Sequence, residues 1–528
     1  MPDYDVIVIG SGVGGLTAAV ALAQAGKKVL VCEQHEVPGG WTHSFTLQGY
    51  RFSPGVHYIG ELHEGGSLRW IYEGLGVTQD LKFCELNPDG FDHIFVGDER
   101  FDIPAGKENF AARLKERFPD EAEGIDGYLD TVDAMMKNLG SPKSVASMMY
   151  WGRRSGQDLI DKFISDPLLK AILSGQAGDY GMPPADTISF LHAGIVSHYF
   201  RGGYYPMGGA FAIPRAFSRA LKRAGGELRL QSPVERILLK DKRVRGVRLA
   251  GGEEITATYV VSNADPAVTF EKLVGREHLS KKLRRKLDKT VYSTSALSLF
   301  FAVDMDLRAA GLDSGNYWFY DHEDINQLYR QGQTDHVLHA EMPEAIFLTV
   351  TTLKDPSKLH RTGATAGHHT CEAFTFVSYD AFEKWAGGTP GERPAEYEAM
   401  KEDLAWRMFR ALEKRIPGIS EHVVFWNLGT PLSNEFYINA TRGSLYGIEK
   451  NTRQVGPWAY PAKTEIDGLL MCGASTRSFG VSGATKTGLD VVKAILKCKT
   501  ADLMTQNGPP LEIYPSEDLS QWPENLVK

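Results

Sequence analysis

Cysteine is scarce in this chain: Cys32, Cys84, Cys371, Cys472 and Cys498 are the only five in 528 residues. None stands at Cys-x-x-Cys spacing from another, which excludes a zinc ribbon and a redox-active dithiol. The odd count, with an opening that runs straight into an apolar β-type segment and leaves no room for a cleaved leader, leads us to expect a reducing, cytoplasmic setting. No stretch approaches ~20 uninterrupted apolar residues, so no transmembrane helix is expected, while peripheral membrane association stays open. Basic charge is in deficit, 58 Lys and Arg against 66 Asp and Glu for a net charge of −8, which argues against nucleic acid as a partner. The one dense basic run, Lys281 to Lys286, reads mainly as the solvated face of a helix, with anionic headgroups as the minority reading. Neither Gly-x-Ser-x-Gly nor His-Glu-x-x-His occurs, which argues against hydrolases and zinc proteases. His368-His369 lacks a Cys or acidic partner at ligand spacing, so it reads as a loop and no metal is expected.

What is present is concentrated at the N-terminus. The run Asp5 to Ile9 is apolar and β-branched, and it breaks into Gly10-Ser11-Gly12-Val13-Gly14-Gly15 before a helix-forming segment. That order suits a dinucleotide pyrophosphate. Gly10 permits the tight turn, Gly12 lets the backbone approach the phosphates, and Gly15 lets helix and strand pack closely. The phosphates would rest on free N–H groups at the positive end of the helix. A second strand, Lys28 to Cys32, ends at Glu33, placed to accept from a ribose 2′-hydroxyl; with no nearby Arg, a 2′-phosphate is disfavoured. The fingerprint alone leaves NAD and FAD open. A further glycine pair, Gly39-Gly40, followed by Trp41 and Thr42, offers another close backbone approach and favours the longer, two-ended FAD.

Length predicts two or three structural units, and 42% hydrophobic with 23% charged residues is an ordinary globular composition. The expected fold is α/β: a Rossmann-type FAD-binding domain with an inserted α+β substrate domain and a helical lid region. The expected boundaries are 1–70, 205–290 and 440–500 for the discontinuous FAD-binding domain. The substrate domain takes 71–204 and 291–439, with a Met- and aromatic-rich lid at about 141–200, and 501–528 forms a C-terminal tail. Core packing accounts for most of the Met and aromatic residues of 141–200; a flexible lid over a greasy substrate is the sharper reading. The runs Glu227 to Gln231 and Val234 to Leu239 read as a strand pair, and a helix is expected from about Thr485 to Leu496. No second complete Gly-x-Gly-x-x-Gly follows a strand, so no dedicated NAD(P)H domain is expected and electrons must come from an external donor or go to an external acceptor.

Taken together, the glycine fingerprint, Glu33, Gly39-Gly40, Gly55-Val56-His57-Tyr58-Ile59-Gly60, Tyr205-Pro206-Met207-Gly208-Gly209, Ser262-Asn263-Ala264-Asp265-Pro266 and Cys472-Gly473-Ala474 resemble one group of flavoproteins. It is the phytoene desaturase, carotenoid isomerase and retinol saturase family of FAD-dependent oxidoreductases, within the amine-oxidase-like superfamily. The resemblance runs in order over nearly the whole chain. It implies non-covalent FAD, with Gly10, Gly12, Gly14 and Gly15 around the pyrophosphate, Glu33 on the adenosine ribose, and Val234 on the adenine through its backbone. Gly473 and Ala474 would face the other side of the pyrophosphate, with Asn263 in the same set. The turn holding Val481, Ala484 and Thr485 would lie near the ribityl chain and ring. One departure stands out: many relatives carry a basic residue after the glycine pair, where this chain has Trp41, which is free to pack on flavin or substrate.

The resemblance also implies an apolar polyene or isoprenoid substrate. Saturation of a double bond comes first, then desaturation and cis–trans isomerisation. Flavins exchange a hydride, so the protein must orient a carbon–carbon bond and manage a proton at the neighbouring carbon. His57 and Tyr58 are the first candidates for that proton, and His43 and Arg201 weaker ones; a hydrogen-bonded structural His57 and a surface ion pair at Arg201 are the plain alternatives. Two further classes stay open. A non-enzymatic prenyl-binding protein would have lost the phosphate-facing glycines, and a flavin amine oxidase would show an aromatic cage at the flavin.

Overall fold

In the computed structural model, residues 1–137, 144–359 and 365–527 are described. The run Tyr4–Ile9 forms the centre of a seven-stranded sheet, parallel to Val29–Cys32 on one side and to Glu254–Ser262 on the other. Glu227–Arg229 adds in parallel beyond Val29–Cys32, and Leu469–Met471 beyond the C-terminal half of Glu254–Ser262. Such strands are covered on both faces, which is why Val6, Ile7, Val8, Leu30 and Val31 read as continuous apolar runs and are fully buried. Helices Val13–Gln24 and Gly480–Leu496 cross on one face. A Cβ at Gly488 would lie 2.3 Å from the Gly14 carbonyl, so only glycine permits that approach.

Two local expectations are corrected here. Glu227–Arg229 and Val234–Lys240 do not pair with each other; the former joins the parallel sheet, the latter turns back on Arg243–Leu249 as an antiparallel hairpin. Alternation in each run is compatible with either partner, and tertiary packing decides. The C-terminal helix also starts at Gly480, not near Thr485, because Gly480 at φ +67° admits the turn that precedes it.

The second seven-stranded sheet runs in the order Val423–Gly429, Ser295–Val303, His369–Val377, Ala345–Val350, Asn316–Tyr320, Asp92–Val96, Glu99–Ile103. All its pairings are antiparallel except that between Asn316–Tyr320 and Asp92–Val96. Side chains alternate across it. Leu297, Leu299 and Phe301 enter a core with Met408 and Phe409 of helix Ala395–Glu413, while Ala296, Ser298, Trp318, Phe347 and Phe374 face a cavity. His369 opens a strand of this sheet, contrary to the loop expected; its Nδ1 meets Thr352 Oγ1 at 2.9 Å, and His368 Nδ1 meets the Tyr50 hydroxyl at 2.7 Å.

Helices Ser144–Trp151 and Ser189–His198 line the cavity, and Gly156–Asp161 and Pro167–Leu173 belong to the same helical layer. Residues 141–143, the start of the predicted lid, lie outside the described residues. The C-terminal segment is tied down, since Glu512–Pro515 pairs in parallel with Lys82–Glu85. No helix among the described residues is long and apolar enough to cross a membrane.

Candidate functional site

A single cavity of about 1550 Å³ runs from the glycine fingerprint to the second sheet. Pockets for one drug-sized ligand span roughly 300–1,000 Å³, so there is room for a dinucleotide and a second ligand end to end. At the nucleotide end, Gly10, Gly12 and Gly14 line the wall, with Gly10 at φ +87° making the turn from strand to helix. Helix Val13–Gln24 has no side-chain cap, and neither has Gly480–Leu496; the first residues of both line the cavity. Two positive helix ends therefore converge with unclaimed N–H groups, a donor set suited to a pyrophosphate and to negative charge on a reduced flavin.

The fit to FAD rests on cradles that a side chain would fill. A Cβ at Gly14 would meet Asn263 Oδ1 at 2.8 Å and the Gly473 nitrogen at 3.2 Å. One at Gly12 would stand 2.5 Å from Asn263 Nδ2, so Asn263 underlies the whole loop. Gly473, at φ +91°, gives its N–H to Thr487 Oγ1 at 2.9 Å. Glu33 is buried beside the cavity: Oε2 accepts the Ser11 N–H at 2.8 Å and the Ser11 hydroxyl, and Oε1 accepts the His35 N–H at 2.9 Å. Gly39 and Gly40, at φ +126° and +53°, carry the chain past this carboxylate, and Gly39 donates to Ser11 Oγ at 3.1 Å.

Val234, Asn263, Ala474, Val481, Ala484, Thr42 and Trp41 also line the cavity, Trp41 with its ring against Gly55. His43 lines it too, its Nδ1 2.7 Å from the Gly40 carbonyl, and burial holds its pKa below the ordinary imidazole value. Three expected residues fall elsewhere. Gly15 is outside the cavity lining and faces the strand, where a Cβ would be 2.3 Å from the Gly10 carbonyl, the close helix–strand packing expected of it from the motif. Thr485 is fully buried in the core, one residue out of phase with Ala484 on the helix. Arg201 is exposed and outside the cavity lining, so it cannot touch a reacting bond.

At the other end the cavity becomes an aromatic chamber. Tyr58 and Tyr199 stack at 4.2 Å, and Phe347 and Phe374 at 4.6 Å. His57 packs against both phenylalanines, its Nε2 3.3 Å from Glu372 Oε2. The Tyr58 hydroxyl donates to Asp179 Oδ2 at 2.6 Å, and burial, reinforced by Asp179, raises its pKa well above the phenol range. Burial and then the nearby Asp92 lift the Asp179 carboxyl well above the carboxylate range. Behind this wall, Lys354 is fully buried, which lowers its pKa to about 7; it donates to the His57 carbonyl at 2.6 Å and to Asn316 Oδ1. Asn316 in turn donates to Asp92 at 3.0 Å. Lys450 is a second buried lysine, lowered to about 7 by burial, and it ties the Ala474 and Thr476 carbonyls at 2.9 and 2.8 Å.

Sequence reading missed Asp179, Trp318, Phe347, Phe374 and Lys450. It also missed Glu61, which lines the cavity and accepts from Ser482 and Lys486 at 2.8 and 2.9 Å. None sits in a motif; only the strand alternation around Trp318 and Phe347 carried a signal, and it does not say which face meets a ligand.

A profile described as flavin containing amine oxidoreductase matches residues 13–326, more than half of the chain. The chain belongs to that family. As a flavin-containing amine oxidoreductase family member, it is an FAD-dependent oxidoreductase with the fold expected from its sequence. It is 31% identical to an all-trans-retinol 13,14-reductase of Danio rerio over 94% of this chain and 86% of that protein. A chloroplastic prolycopene isomerase of Arabidopsis thaliana is 28% identical over 89% of this chain and 79% of its own length. Among solved structures, an oxidoreductase from Methanosarcina mazei superposes with a TM-score of 0.65 at 17% identity, over 94% of this chain and 100% of that one, a likeness of fold.

Proposed function

We propose that this flavoprotein reduces a carbon–carbon double bond of an apolar polyene or isoprenoid of retinoid or carotenoid type. The observation that carries this reading is the continuity of the cavity: one space joins the glycine-lined nucleotide end to an aromatic chamber too long and too apolar for a small polar substrate. The retinol 13,14-reductase and prolycopene isomerase relatives support the substrate class.

In this reading residues 1–70, 205–290 and 440–500 hold the flavin, and 71–204 with 291–439 hold the substrate. Gly10, Gly12, Gly14 and the N-terminus of Val13–Gln24 take the pyrophosphate, Glu33 the ribose, and the start of Gly480–Leu496 the ring end. Reduced FAD supplies a hydride when bound. Phe347, Phe374, Tyr199 and Trp318 hold the polyene flat and exclude water, and His57 and Tyr58 lie where a proton must be managed. Met148, Met149 and Arg153 line the cavity, and both methionines are exposed, which supports delivery of the substrate from a lipid surface. The flavin is re-reduced by an external two-electron donor.

The test is anaerobic. Reduced, flavin-loaded protein is mixed with all-trans-retinol and with carotenoids, and flavin absorbance is followed together with product mass. Flavin reoxidation with a product heavier by two hydrogens is the expected result. A flavin that stays reduced with polyene mass unchanged would sink the proposal of reduction, and chromatography of the same sample would then separate isomerisation from no reaction. A second reading, oxidation of an apolar amine, is favoured by the stacked Tyr58–Tyr199 and Phe347–Phe374 walls, and amine-dependent bleaching of the oxidised flavin would establish it.

A further inference from the structure

The aromatic chamber contains one carboxyl group that its surroundings leave half-satisfied. Asp179 ends the short turn Ala177–Asp179 and lines the cavity beside Tyr58, Tyr199 and Trp318. The turn is pressed onto the indole: a Cβ at Gly178 would lie 2.0 Å from the Trp318 ring, so glycine there fixes where Asp179 points. Among the described residues only Tyr58 hydrogen-bonds this carboxyl, and it takes Oδ2. The neighbouring Asp92 is different. Its Oδ2 accepts from Gln176 at 2.7 Å, and its Oδ1 from Asn316 and the Trp318 indole at 3.0 and 3.2 Å, and its residue is fully buried away from the cavity. Gln176, Asn316 and Trp318 all serve Asp92, and the Tyr58 hydroxyl, which also acts on Asp92, is the one donor to Asp179. With its second oxygen unclaimed and its side chain lining the cavity, Asp179 is pushed toward the neutral acid by burial and by the neighbouring Asp92.

Resting on the reduction proposed above, we infer that Asp179 is the proton donor to the polyene, with Tyr58 the positioning residue that occupies Oδ2 and leaves the acidic O–H on Oδ1, toward the substrate. His57 is less suited: its ring packs against Phe347 and Phe374 as part of the wall, and its Nε2 is turned toward Glu372 Oε2, 3.3 Å away, without a hydrogen bond. In the step, the double bond gains a hydride from the reduced flavin at one carbon and the Asp179 proton at its neighbour. The carbon–carbon π bond, the Asp179 O–H bond and the N–H bond that would carry the hydride in the reduced flavin break, and two C–H bonds form. Asp179 is left as a carboxylate accepting from Tyr58, and it regains a proton from solvent. The electron pair is restored to the flavin by the external two-electron reductant.

The test uses the full chain with its flavin and the variants Asp179→Asn and Tyr58→Phe. Before any substrate is added, the infrared difference spectrum of wild type minus D179N at neutral pH should show the carbonyl stretch of a protonated carboxylic acid. A carboxylate pair of bands in its place would overturn the assignment. In anaerobic single turnover with all-trans-retinol, D179N should be slowed on the order of 100- to 10,000-fold with flavin content and retinol binding unchanged, the range for loss of a general acid. Y58F should keep the carbonyl band, shifted in frequency, and lose less, on the order of 10-fold. Wild type and D179N reducing retinol equally fast would refute the role of Asp179 while leaving the reductase reading intact. No reduction of any apolar polyene by wild type would remove that reading, and the assignment with it.

Discussion

The two ends of the cavity are built on different principles. The nucleotide end is made of backbone: glycines at Gly10, Gly12 and Gly14 and two uncapped helix N-termini, most of it within one stretch of chain. The chamber is made of side chains from remote segments: Tyr58 from a loop, Asp179 and Tyr199 from the helical layer, and Trp318, Phe347 and Phe374 from three strands. A backbone site tolerates no added atom but is indifferent to most neighbours. A side-chain site tolerates many substitutions but is lost if the layers shift. The first kind suits a cofactor common to many reactions, and the second sets what is done with it.

Substitutions can break this division, beginning with the largest effect. Gly15→Val puts carbon atoms where the Gly10 carbonyl stands 2.3 Å from an ideal Cβ, so helix and strand must separate. We expect an insoluble or flavin-free protein, read by expression and flavin content, since overpacking here exceeds the usual 1–3 kcal/mol. Phe374→Ala should cost about 1–3 kcal/mol in stability, since the ring is half-buried on the cavity wall, and raise KM for a polyene several-fold, with flavin content nearly unchanged; thermal unfolding and steady-state kinetics check both. Glu33→Gln should do the reverse, weakening flavin binding by about 1–3 kcal/mol through the lost charged acceptor for Ser11, measured by calorimetric titration of apoprotein with FAD.

Lys450 sits at the seam between the two regions. With its pKa lowered to about 7, the unfolded chain holds a proton that the folded protein lacks between roughly pH 7 and 10.5. Folding stability from this group therefore rises with pH across that window, by up to about 1.4 kcal/mol per pH unit. Lys450→Met should gain less Tm than wild type as pH is raised from about 7 to 9, and an identical gain would refute the buried, proton-shedding lysine. The smallest effect is expected at Arg201: R201A should change neither stability beyond about 0.5 kcal/mol nor kcat/KM.

This contrast also explains what could be read beforehand. The strand–glycine–helix order, Glu33 and the glycine pair are local, and each encodes a backbone geometry, so FAD and the Rossmann-type half were legible without the fold. Gly15 packs helix on strand as the motif implies, whereas Thr485 was misplaced by a single helical position, because adjacent residues on a helix face about 100° apart and a motif does not state its phase. The 227–239 pairing failed because alternation fixes a face and not a partner. Arg201 was chosen for its charge, whereas exposure follows from the turn it occupies. Asp179 follows Gly178 in a helical, apolar stretch with nothing to mark it, and its meaning appears only when Asp92, Tyr58 and Trp318 are brought around it.

The central claim is that one cavity holds flavin and polyene at the same time, each at its own end. The direct measurement is a titration of all-trans-retinol into flavin-loaded protein, followed by gel filtration and absorbance spectroscopy. A perturbed flavin spectrum, with flavin and retinol co-eluting at one to one, is the expected result. Release of flavin on retinol binding, or retinol binding that leaves the flavin spectrum untouched, would contradict it.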